Sequence, residues 1–174
     1  TQIAASLGAL GFAWGARDLE RGVALLDESL ALKSDTTYSA LARVVSGHLR
    51  VMLGDHDGAL RLFGETLEIY RELGDAFYLP TSLEGTAAAL CLRGRATAAA
   101  KLLGASEEVR RKLTLPGLPI EIALRQSALD MVAASVAEDE RERELIVGRR
   151  WSVEETVAYA LGEIASIDIP IQRG

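Results

Sequence analysis

The chain has 174 residues, the length of one domain and enough to bury a sizeable core. Its residues are 49% hydrophobic but only 5% aromatic, with 16 glycines, which suits close-packed helices and disfavours a sandwich of aromatic and β-branched strands. A net charge of -6 denies it the basic face that phosphate backbones need, so no direct nucleic-acid binding is expected.

The first element is the nearly apolar stretch from Ile3 to Ala16, in which Ser6 is the one polar side chain. It falls short of the roughly 20 residues that cross a bilayer and has neither a charged leader nor a stop-transfer pattern, so neither a membrane span nor a signal peptide is expected. Ala4, Ala5, Leu7, Ala9, Leu10, Phe12, Ala13 and Trp14 surround the helix axis instead of forming one stripe, which implies burial on more than one side. The outer face is the expected seat of a preceding repeat, or of a second copy of the chain in a homodimer. With Thr1 in place of a methionine and an apolar helix starting at once, the chain is expected to be a piece of a longer protein. Its one cysteine, Cys91, cannot form an internal disulfide, which is compatible with a reducing cytoplasm.

Three segments share one plan, an apolar helix, a short polar turn and a second helix, with turns at Arg17-Asp18, Gly54-Asp55 and Gly94-Arg95. The spacings, 54 - 17 = 37 and 94 - 54 = 40 residues, are those of helical-hairpin solenoids. In the second unit a helix is predicted from Thr37 to Leu53. Asp55 is placed to cap the next helix, whose stripe of Ala59, Leu60, Leu62, Phe63, Leu67 and Tyr70 ends near Gly74, a natural left-handed stop. The third unit starts at Asp75, tolerates Pro80 in or near its first turn, and runs through Leu83 to Leu92 and Ala98 to Leu113. Gly47, Gly85 and Ala99 would let paired helices approach closely.

After residues 1–113, the pattern breaks at the Pro/Gly loop of residues 114–119, and Pro119 suits a first helical position. A helix to about Ala137, a charged stretch from Glu138 to Glu144 that needs only water, and a final helix opened by the capping box Ser152-Val-Glu-Glu155 would form a helical cap over residues 114–165. Residues 166–174 read as an extended tail or linker.

The hairpin with Gly47, Gly54-Asp55, Ala59 and Phe63 resembles a tetratricopeptide repeat; Gly22 and Leu26, and Ala99 and Leu103, stand at the corresponding places in the other units. Leu83-Glu-Gly-Thr-Ala-Ala-Ala-Leu90, Ala99-Ala-Lys-Leu-Leu-Gly-Ala-Ser-Glu107 and Gly148-Arg-Arg-Trp-Ser-Val-Glu-Glu155 are similar to the repeat region of large bacterial ATP-dependent transcriptional regulators of LuxR type. The resemblance implies an all-α, right-handed solenoid of three hairpins serving as the interaction or signal-sensing domain of a cytoplasmic regulator. No phosphate-binding loop and no recognition-helix region occur, so nucleotide and DNA binding would lie outside this chain and no cofactor is expected. The family lines its concave groove with first helices. Carried over, those positions are Trp14 in the first unit, Val44, His48 and Val51 in the second, and Glu84, Ala88 and Cys91 in the third. They would hold a protein, a peptide or a small effector. A stand-alone adaptor that scaffolds other proteins is the alternative.

Catalytic and metal chemistry find little support. Cys91, His48 and His56 are the soft or imidazole candidates for zinc, and even with Asp55 and Asp57 their spacing matches no metal motif. A nucleophile pair of Cys91 and His48 would need an orienting third group, whereas a buried thiol and an ordinary groove-side histidine need nothing more. Glu107-Glu108 and Glu154-Glu155 fit solvated faces and helix starts, and Arg110-Arg111-Lys112 fits a helix C-terminus.

Overall fold

The computed structural model describes residues 2–15, 17–32, 36–74, 76–114 and 119–167. Among them the chain forms nine helices and no strand: α1 (Gln2–Gly15), α2 (Leu19–Ala31), α3 (Thr36–Leu53), α4 (His56–Leu73), α5 (Leu79–Leu92), α6 (Ala96–Leu113), α7 (Pro119–Ser135), α8 (Glu138–Arg149) and α9 (Val153–Ala165). No helix of the described residues is long and apolar enough to cross a membrane.

Local chemistry sets these boundaries. Asp18 and Asp55 accept the backbone N–H groups of Arg21 and Gly58, each at 3.0 Å, and so start α2 and α4. Gly54, Gly74 and Gly94 take φ values of 82°, 72° and 78°, a backbone that glycine adopts without a Cβ penalty. Ser152 and Glu155 form the reciprocal box that opens α9, at 3.1 and 2.7 Å. Pro80 lies in the first turn of α5 and Pro119 begins α7, which ends at Ser135, earlier than the expected Ala137, because Ala137 has extended backbone and caps α8. Asp75, most of the Pro/Gly loop and most of the tail lie outside the described residues.

Consecutive helices pack in pairs, α1 with α2, α3 with α4 and α5 with α6, and the second helix of each pair also packs on the first helix of the next. First helices touch one another, α1 on α3, α3 on α5 and α5 on α7. The chain then departs from this plan: α8 packs mainly on α6 and α9 returns across α4 and α6.

The main core fills the space among α4, α5, α6, α7 and α9, and Phe63 is its largest fully buried side chain. Gly47 of α3 and Gly85 of α5 both face that ring: a Cβ added at either would lie 2.6 or 2.2 Å from a Phe63 ring carbon. Two first helices and the stripe residue of a second helix thus share one slot. A similar device joins α6 to α8, where a Cβ on Gly104 would meet the Leu145 carbonyl oxygen at 2.1 Å and one on Gly148 the Lys101 carbonyl oxygen at 1.8 Å.

Charged α8 does more than face water. Glu144 pairs with Lys101 of α6 at 3.4 Å, and Arg149 bridges Glu107 of α6 and Glu142 at 2.9 and 3.2 Å. The helix is held by backbone contact at glycine, by Leu145 buried in the main core and by ion pairs along its flank, so it needs no full apolar stripe.

Candidate functional site

A cavity of about 310 Å3 lies among α3, α5 and α7. From α3 come His48, Val51 and Met52, three and four residues on from the histidine along one face; from α5 come Glu84, Ala88 and Leu92 at four-residue steps. The third wall is α7, through Leu124, Ser127 and Met131, and Gly54 and His56 close the end beside the hairpin turn. Both histidines and both methionines of the chain therefore line one space.

His48 is 7% exposed, and its ring packs edge-on against Phe63 with centroids 5.1 Å apart. Its Nδ1–H donates to the Val44 carbonyl, one turn earlier, at 2.8 Å. That bond fixes the tautomer and leaves Nε2 a bare acceptor. Burial pushes the imidazole pKa below its ordinary value, and the Val44 carbonyl, Glu84 and Glu121 only partly oppose this, so the ring is neutral at pH 7. Among the described groups none donates to the buried Nε2. Leaving such an acceptor unsatisfied costs about 1–3 kcal/mol.

Glu84 is a different kind of group. It is 1% exposed, and both its oxygens are engaged: Oε1 accepts from the Ser106 hydroxyl and Arg110 Nε, each at 2.8 Å, and Oε2 accepts from Arg110 Nη2 at 2.9 Å. Arg110 also lies 3.7 Å from Glu121 of α7, and the Thr81 hydroxyl donates to Glu121 at 2.9 Å. Arg125 of α7 extends the network towards Glu84 and Glu107 at 3.9 and 3.7 Å. The carboxylate expected to face a ligand thus seats α7 on the third hairpin, and Arg110, expected at the helix end for the dipole, turns inward to pair with it.

The expected groove residues distribute as follows. His48, Val51, Glu84 and Ala88 meet around the cavity. Val44 is 3% exposed in the interior and contributes its carbonyl to His48. Cys91, 7% exposed, is not part of the cavity wall; its thiol donates to the Ser135 hydroxyl of α7 at 3.6 Å. The side chain of Trp14 lies outside the described residues. Helix α7 packs on α5 as the next helix in that row and adds a wall beside the expected positions, burying Ala128 and Val132 at 1% exposure each. The sequence reading missed this wall, although Leu124, Ser127 and Met131 share one face of a helix from Pro119. No group of three or more His, Cys, Asp or Glu side chains among the described residues is placed to hold a metal ion.

No family model, no curated protein and no solved structure gives a significant match to the chain.

Proposed function

We propose that the chain is a non-catalytic helical-repeat domain, of tetratricopeptide type and right-handed, that senses a signal for a cytoplasmic bacterial transcriptional regulator. In this reading a small effector enters the cavity among α3, α5 and α7 and changes the seating of α7, and with it the poise of nucleotide- and DNA-binding modules elsewhere in the protein. The cavity itself carries the proposal, because it gathers four of the expected groove positions under a helix held by an ion-pair network and an apolar seam. The regular pairing of α1 to α6 supports the same reading, as does the resemblance of the motifs at Leu83–Leu90, Ala99–Glu107 and Gly148–Glu155 to the repeat region of LuxR-type regulators.

A second reading, the stand-alone adaptor, draws on α1. Its outward side leaves Ile3 68% and Leu10 49% exposed, beside exposed Ala9 and Ala13. Such a face suits a neighbouring helix, either a preceding repeat or another copy.

The test is made on the protein that contains this chain. Ala88→Phe fills the cavity from α5, and the sensing account expects it to alter nucleotide or promoter affinity severalfold while helix content is kept. Unchanged affinities in a folded variant would defeat the coupling of this cavity to the other modules.

A further inference from the structure

The cavity among α3, α5 and α7 is open on one side. Met52 and Leu92 at its rim are 62% and 44% exposed, and its wall mixes apolar side chains with Gly54, His56 and Ser127. Such a wall suits a peptide, whose aliphatic side chains meet the thioether and leucine surfaces while its backbone meets the polar groups. Met52 stands in the last turn of α3, Leu92 ends α5, and Gly54 and His56 lie at the hairpin turn, so the exposed rim is at the turn end of the hairpins.

The chain leaves α9 at that same end. Arg95 donates to the Ser166 hydroxyl oxygen and pairs with Glu163 at 3.1 Å, while its backbone N–H donates to the Leu90 carbonyl of α5 at 2.9 Å. One arginine side chain thus separates the end of α9 from the last turn of α5, which carries Leu92. Beyond Ile167, partly buried against the main core, the sequence runs Asp168-Ile-Pro-Ile171. Pro170 turns Ile169 away from helix, so the segment favours extended backbone, in which Ile169 and Ile171 share a face and four residues reach about 13–14 Å. Its one charge, Asp168, is opposite in sign to Arg93 and Arg95, which flank Gly94 with side chains 39% and 37% exposed. We propose that residues 168–171 cross the turn at Gly94 and seat Ile169 and Ile171 in the cavity of the same chain. This goes beyond the sensing account, because the contact forms whichever modules adjoin the chain; within that account, an effector must first displace the segment.

Met52 and Met131 are the two methionines of the chain and both line the cavity, so carbon-labelled methionine methyl groups give two NMR resonances that report on it. In the full chain, Ile169→Asp with Ile171→Asp is expected to move both resonances. Gln172→Glu, on the other face of an extended segment, should leave them nearly in place. Peroxide oxidation of Met52, read by mass spectrometry, is expected to run roughly 3- to 10-fold slower in the wild type than in the double variant, since burial of two aliphatic side chains offsets the ordering of four residues by a small margin.

Unmoved methionine resonances and equal oxidation rates in a folded double variant would overturn the contact and leave the sensing account, which Ala88→Phe tests separately through promoter affinity. Protection of Met52 that grows with protein concentration would place the segment in the cavity of a second copy and overturn the contact within one chain. Concentration-independent protection, with promoter affinity untouched by Ala88→Phe, would keep the contact and defeat the sensing account alone. Ile171→Asp by itself repeats the comparison if the double variant does not fold.

Discussion

Gly85→Ala is the most informative single change in the scaffold. A methyl at that position would lie 2.2, 2.5 and 2.8 Å from Cζ, Cε1 and Cε2 of Phe63, so the ring must withdraw by about 1 Å to restore ordinary contact. It has nowhere to go, because Phe63 is fully buried and the Gly47 backbone of α3 touches the same ring edge. Overpacking of this kind costs about 1–3 kcal/mol, and the better helix propensity of alanine returns about 1 kcal/mol. With the ring trapped between two helices the upper end applies, and a net loss of about 2 kcal/mol is expected. Urea unfolding followed by circular dichroism should show a lower midpoint with an unchanged slope. Phe63→Leu in the same chain should relieve part of the loss, giving a double variant more stable than the sum of the two singles. Gly162→Ala is the control: that glycine lies inside α9 with no atom within 4 Å of an added Cβ, so the change should stabilise by about 0.5–1 kcal/mol. If Gly85→Ala is as stable as the wild type, the slot does not exist as described.

Three further outcomes follow from the same contacts. Because burial lowers the His48 pKa, the unfolded chain takes up its proton first as pH falls; stability should be intact above about 6.5 and decline from there towards the lowered native value, and His48→Phe should remove that share of the decline in denaturation curves between pH 7 and 5. Glu84→Ala leaves Arg110 buried beside a lost partner and should cost about 3–5 kcal/mol in urea, whereas Glu84→Leu with Arg110→Met should cost clearly less; equal losses would show that the pair is not a unit. On α1, Ile3→Lys with Leu10→Glu should abolish concentration-dependent association in sedimentation experiments, and a wild-type chain that is monomeric at every concentration would remove that face as a contact between copies.

The hairpin turns were legible in the sequence because their causes are local. Gly54 with Asp55, Gly74, Gly94 and Ser152 with Glu155 each act within four residues, through a cap or a positive φ, and no tertiary partner is needed to read them. Gly47 and Gly85 were also legible as close-approach positions, though the ring they accommodate comes from α4 and could be named only with all three helices in place. The seating of α7 was not legible. It depends on Arg110 reaching back to Glu84, and on Thr81 and Arg110 reaching Glu121 across the Pro/Gly loop, and charges that pair over such separations read locally as dipole or solvent choices. The packing of α8 was hidden for a related reason: its buried residues are Leu145 and Gly148, and one apolar side chain beside a glycine that meets backbone leaves no apolar period to detect. The cavity shows both effects. Its α3 and α5 walls follow from repeat register, and its third wall does not.

The native reading frame on either side of the chain tests the central claim most directly. The account predicts a nucleotide-binding module before Thr1 and a helix-turn-helix either after Gly174 or at the far N-terminus, so that the cavity sits within a regulator. A start codon just before Thr1 and a stop soon after Gly174 would contradict it and leave a free-standing adaptor with an apolar first helix to cover.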